Sequence, residues 1–193
     1  MALEILPPGG AETVNPPVSL PDTKAYLKAI GDGEDIAITM MIEAAQSKIE
    51  KATDRLLIKR NCRFTTDGFG NAVVLPVRPV ETVTAITYFD AAGNEQSLPA
   101  EAWRLVDKQE KSRIVPAPGH HFPETWELPG GVSVEFRAGY GDGPADIPAA
   151  LRIAVLKTTR DMWSFRGDMA TAQVIALPEG VQDIIDDFRR WVV

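Results

Sequence analysis

Apolar residues along this 193-residue chain change their spacing twice. From about Ser19 to Asp54 they recur at helical intervals. From Leu56 to Ala138 they alternate in short runs, and from Pro148 the helical interval returns. The clearest helix carries Ile38, Ile42, Ala45, Ile49 and Ala52, which step by four, three, four and three and form one stripe. Met41 widens that stripe, while Glu43, Lys48, Glu50 and Lys51 fall on the solvent side. A shorter helix precedes it. Ser19 is placed to cap its first turn, Pro21 lies within that turn, and Gly31-Asp32-Gly33 ends it.

The middle of the chain predicts strands separated by turns. Strands are expected around Ile58–Phe64, Ala72–Leu75 and Val80–Phe89, with Asp90-Ala91-Ala92-Gly93-Asn94 as a hairpin loop. Trp103–Asp107 and Arg113–Val115 suit a further pair. Val132, Val134, Phe136 and Ala138 alternate with polar residues, as a half-buried strand requires. Between them, residues 116–131 hold four prolines and three glycines, so an irregular loop is expected. A third helix, with Asp146 as candidate cap, should bury Leu151, Val155, Thr158, Met162 and Phe165. A last helix after Leu177-Pro178-Glu179-Gly180 carries Val181, Ile184, Ile185, Phe188 and Trp191 on its apolar side.

The fold class expected is therefore α+β: N-terminal and C-terminal helices form a core into which an antiparallel β module is inserted. Its divisions are an extended arm at 1–18, core helices at 19–54 and the β module at 55–143. A core helix at 144–167 and a linker with a terminal helix at 168–193 follow. Pro7, Pro8, Pro16 and Pro17 exclude a continuous helix from the arm, which is expected to order only against a partner.

Charge narrows the function classes. The net charge is −7, and residues 1–54 alone contribute nine acids against four bases. Such a balance disfavours a duplex-DNA reader, whose affinity rests on Lys and Arg neutralising phosphates. The local cluster Arg55, Lys59, Arg60 and Arg63 alternates like the outer face of a strand. One cysteine, Cys62, leaves no internal disulfide and fits a reducing cytoplasm. The first residues lack the basic and apolar regions of a signal peptide, and no run reaches the ~18 apolar residues of a membrane span.

No grouping of residues carries recognisable chemistry, so no catalytic, cofactor or metal residue is assigned. His120-His121 are adjacent in the proline-rich loop and lack zinc-ligand spacing. Cys62 lies in a strand pattern and reads as a small core residue rather than a nucleophile. Asp183, Asp186 and Asp187 share a helix with Arg189 and Arg190 and read as a solvated face. Gly139-Tyr140-Gly141-Asp142-Gly143 lacks the spacing of a dinucleotide fingerprint, and its glycines are expected to supply positive φ. Trp103, Trp126 and Trp163 are expected to anchor packing. The terminal run Phe188-Arg189-Arg190-Trp191-Val192-Val193 holds the residue types of interface hot spots, with docking on the chain's own core as the alternative.

A resemblance runs through nearly the whole chain. Its residues are Pro17-Val18-Ser19-Leu20, Lys24 and Leu27, then Ile38, Ile42, Ala44-Ala45, Ile49-Glu50, Thr53 and Arg55. Leu75-Pro76, Pro79-Val80, Val83, Tyr88, Asp90 and Gly93 follow, then Trp103-Arg104-Leu105-Val106-Asp107 and Arg113-Ile114-Val115-Pro116. Ala138-Gly139-Tyr140-Gly141, Ile147-Pro148, Leu151, Trp163 and Arg166 close it. In joint order and spacing these resemble the phage head–tail connector (adaptor) proteins, including those of gene transfer agents.

The resemblance implies a structural subunit, not an enzyme, that forms a homo-oligomeric ring, commonly twelve-fold, under a portal. Such a ring extends the DNA channel, docks the tail or a stopper protein, and passes DNA without specific binding. It implies a place in a virion or phage-like particle assembled in the bacterial cytoplasm, with no cofactor and no membrane. Several members grip the portal through a C-terminal segment, which here makes Phe188, Arg189, Arg190, Trp191, Val192 and Val193 the portal-interface candidates. The linker 168–176 would let that segment swing out. Acidic groups within 1–54 could line the channel and repel DNA phosphates. The rival readings are another virion ring component, such as a head-completion stopper or tail terminator, and a small hydrolase.

Overall fold

The computed structural model describes residues 1–6, 15–108, 111–126, 129–165 and 177–189. The chain divides into two compact units, Met1–Thr13 with Lys59–Gly139 and Val14–Ile58 with Tyr140–Val193.

The first unit is built of antiparallel strands. They are β1 (Ala2–Ile5), β2 (Arg60–Thr66), β3 (Val73–Val74), β4 (Val80–Phe89), β5 (Glu95–Ser97), β6 (Trp103–Lys108), β7 (Lys111–Pro116) and β8 (Val132–Ala138). One sheet runs β1-β2-β8-β4-β5 and a second runs β3-β7-β6. The alternation expected for β8 holds: Val132, Val134, Phe136 and Ala138 are all buried. On its two flanks, Phe136 stands opposite Cys62 of β2 and Val83 of β4. Opposed residues share a face of the sheet, so these contacts build the inner side. Leu3 and Ile5 pair with Phe64 and Cys62, which carries the apolar face out to the sheet's edge.

That last pairing corrects one expectation. Ala2–Ile5 is a strand of the chain's own sheet rather than part of an arm awaiting a partner. At the other end of the same stretch, Val18 is buried in the helical core. The short strand β5 was also not foreseen, because Glu95, Gln96 and Ser97 are all exposed and show no apolar alternation.

A single carboxylate shapes the β4–β5 loop. Asp90 accepts hydrogen bonds from the backbone N–H of Ala92 and Asn94, both 2.9 Å, and from Gln96 Nε2 at 3.0 Å. The Asn94 backbone bond, foremost, and then that of Gln96 hold its acid below the ordinary carboxylate range. A depressed folded pKa means the loop's contribution is complete above the unfolded pKa and is lost as pH falls through the folded one. Amide shifts of Ala92 and Asn94 followed by NMR should therefore titrate below the pH of a free aspartate. Titration at the ordinary value would contradict this.

The second unit is helical among the described residues. It contains α1 (Leu20–Leu27), α2 (Asp35–Thr53), α3 (Ala149–Ser164) and α4 (Glu179–Arg189). Ser19 caps α1 as expected: its Oγ accepts from Asp22 N at 3.1 Å, while its hydroxyl donates to Asp22 Oδ2 at 2.6 Å. Lys24 ties the following turn by ion pairs to Asp32 and Asp35 at 2.8 and 2.6 Å. Ile38, Ile42, Ala45 and Ile49 of α2 meet Leu151, Ala154 and Val155 of α3 in one core, joined by Val181 and Ile185 of α4.

Two expectations for α3 need correction. Phe165 is 53% exposed, because the helix ends at Ser164 and the stripe ends with it; Ala154 and Thr159 are buried instead. Asp146 does not cap α3. It belongs to a preceding 3-10 turn and accepts from Gly143 N at 3.3 Å. The neighbouring Gly141 is required for space rather than for φ, since a Cβ there would overlap the Asp146 side chain. Gly139 does adopt positive φ, at 133°.

Candidate functional site

The terminal helix α4 is seated by a narrow apolar edge. Its first turn closes on Pro178, whose carbonyl accepts from Val181 N at 2.7 Å and Gln182 N at 3.1 Å. Val181 and Ile185 are completely buried, and Ile184 and Phe188 pack against the same core from partly buried positions. Gln182, Asp183, Asp187 and Arg189 face solvent. A sharp division of this kind fixes which side of an eleven-residue helix docks.

Phe188 meets a cation at its seat. The Arg55 guanidinium carbon lies 5.3 Å from the Phe188 ring centroid, and Arg55 Nη1 donates to the Tyr140 hydroxyl at 3.1 Å. A cation over an aromatic face contributes about 0.5–1 kcal/mol at exposed sites and more when desolvated. Arg55 follows the left-handed C-cap of α2 at Asp54, and Tyr140 comes from the glycine-rich turn. Three distant segments thus meet at Arg55. Spacing along the chain carries no signal of that meeting, so the sequence reading missed Arg55 and Tyr140 here.

The portal-interface candidates separate on inspection. Phe188 is half-buried on its own unit, and Arg189 is exposed. Arg190, Trp191, Val192 and Val193 lie outside the described residues, as does the linker 168–176.

The chemical candidates do not assemble. Cys62 is fully buried in β2. His120 and His121 are exposed in the loop after β7. Asp183 and Asp187 are solvated, and Asp186 accepts from Gln182 Nε2 at 2.9 Å. Among the described residues no three His, Cys, Asp or Glu side chains converge as metal ligands, and no helix is long and apolar enough to cross a membrane. The basic cluster is dispersed: Lys59 pairs with Glu81 at 2.6 Å and Arg63 with Glu135 at 2.7 Å, while Arg55 serves the α4 seat. Of the tryptophans, Trp163 packs at the helical core, but Trp126 is 48% exposed and lies against Gly93.

Solved structures place this architecture. The chain is 30% identical to a chain in the neck of an empty gene transfer agent particle computed with C6 symmetry, with a TM-score of 0.77. It is 33% identical to one in the neck of a native particle computed with C12 symmetry, TM-score 0.73. A chain of the native gene transfer agent virion matches at 30% identity and TM-score 0.76. All of this chain and 97% of each counterpart are covered. The chain belongs to the phage and gene transfer agent connector family. Members of this connector family are structural parts of a particle, and the chain is not an enzyme. No protein-family model and no curated protein matches it.

Proposed function

We propose that the chain is a head–tail connector (adaptor) subunit that forms a ring beneath the portal of a phage-like or gene transfer agent particle. The observation carrying this reading is the full-length match to chains of particle necks computed with C6 and C12 symmetry. The ring would be homo-oligomeric, in keeping with twelve-fold necks, and would dock a tail or stopper protein on its far side. It would extend the DNA channel, with acids among residues 1–54 repelling phosphates so that the genome slides. Assembly would take place in the bacterial cytoplasm.

Portal attachment is assigned to the terminal segment, from Phe188 through Val193. Phe188 holds α4 on its own unit, and Arg189 onward is offered to the portal.

The test is binding to the portal ring of the same particle, viewed by negative-stain electron microscopy. A chain ending at Arg189 is the informative truncation, because removing all of α4 would strip Val181 and Ile185 from the core. A second ring stacked on the portal by the full chain and lost with residues 190–193 is the expected result. A ring that survives would move the contact elsewhere. Failure of the folded full chain to bind portal, with binding to tail components instead, would favour a stopper or tail terminator.

A further inference from the structure

The helical unit leaves two strips uncovered by its own core. On α2 the buried stripe is Ile38, Ile42, Ala45 and Ile49. At about 100° per residue, Ile36 and Met40 fall on the opposite side of that helix, with Glu43 one turn further along. Ile36 is 80% exposed and Met40 65%, and Ile30 in the turn before them is 99% exposed. Isolated exposed apolar residues are ordinary. Three so bare within one short stretch, two of them on a helix whose other face is fully buried, are not.

On α3 the buried stripe is Leu151, Ala154, Val155 and Thr158. Ile153 and Arg160 lie on its reverse, and Ile153 is 47% exposed. Lys157 and Arg160 edge a shallow groove of about 310 Å³ whose walls also include Tyr26, Asp161 and Gly180. The Arg160 guanidinium carbon stands 5.9 Å from the Tyr26 ring centroid. Because α2 and α3 turn their buried stripes into the same core, their outer strips face away from it as separate surfaces.

We propose that these strips are the two halves of the contact between neighbouring copies: the outer strip of α2 on one protomer seats against the α3 groove of the next. This rests on the ring reading above and names its interface. Three features choose a second copy as occupant. The α2 strip is flanked by exposed Glu34 and Glu43, and the groove carries Lys157 and Arg160 against one acid, Asp161, so the halves are opposite in net charge. A two-fold pairing of the α2 strip with itself would bring two acid-flanked surfaces together with no basic partner for either, which disfavours an isologous dimer. A closed ring needs two different patches on nearly opposite sides of each subunit, turned by about 30° for twelve copies or 60° for six.

The experiment is cross-linking of a Met40→Cys, Ile153→Cys variant assembled on its portal ring, with a short bis-maleimide. A ladder rising from dimers to the closed ring is expected, and neither single-cysteine variant should give one; Cys62, being fully buried, should stay silent. In parallel, Lys157→Glu with Arg160→Glu should reduce ring formation about tenfold or more. Adding Glu34→Lys with Glu43→Lys in the same chain should restore it, with circular dichroism confirming the fold throughout. A ring visible by microscopy without the ladder, or a charge reversal that the second reversal does not rescue, would overturn this interface and leave the ring reading standing. Absence of any ring with the native chain would overturn both.

Discussion

Phe136→Ala is expected to lower stability by about 3–5 kcal/mol, the usual cost of deleting a buried aromatic side chain. Phe136 is 1% exposed at the middle of β8 and is flanked by Cys62 on one strand and Val83 on the other. Both flanking strands are held by long ladders, so the backbone has little freedom to close around the space left behind. A cavity that cannot collapse adds its own term to the lost transfer free energy. Set against a total of about 5–15 kcal/mol for an ordinary domain, the change removes a large fraction of the margin. Urea denaturation would show it as a lower midpoint. Phe136→Leu should cost about 1.5 kcal/mol or less, because most of the volume is kept. Equal losses for the two variants would mean that the ring is not packed as described.

Ile185→Ala should cost about 2–5 kcal/mol and should act through the terminal helix. Ile185 is fully buried, and among the described residues of α4 only Val181 is equally buried. With so narrow a seat, the helix can leave the core before the remaining helices unfold, and local opening then limits the loss. Hydrogen exchange should therefore quicken in α4 well before it quickens in α2. The surface change Asp183→Ala, two residues earlier on the solvent side, should stay within about 0.5 kcal/mol. If α4 presents the portal-binding end, Ile185→Ala should also weaken portal binding, although the residue itself touches no partner. Uniform acceleration of exchange through the whole helical unit would argue instead that α4 is integral to its cooperative core.

Much of the secondary structure was legible because it depends on neighbours in the chain. Ser19 three residues before Asp22 is a cap wherever that helix packs. The strict alternation from Val132 to Ala138 buries one face of any strand that it forms. The irregular loop after Pro116 follows from prolines that deny the backbone its donors. The α+β class followed from the same local signals.

What remained hidden depends on partners far away along the chain. Ala2–Ile5 carries no signal of its own strength; it is a strand because β2 offers an open edge. Gly141 looked like a turn glycine, and only the position of Asp146 shows that its missing side chain is a matter of space. Phe188 had the composition of an interface anchor, yet Arg55, itself held by the Tyr140 hydroxyl, stands over its ring, an encounter spanning more than a hundred positions of sequence. Ile36 and Met40 were equally ambiguous, since periodicity names the buried face of a helix but not whether the other face is wet. The sequence alone determined the helices, the alternating strands such as β8, and the α+β class. Which residues are left over for partners was decided by tertiary structure, because exposure is what remains after every internal contact has been made.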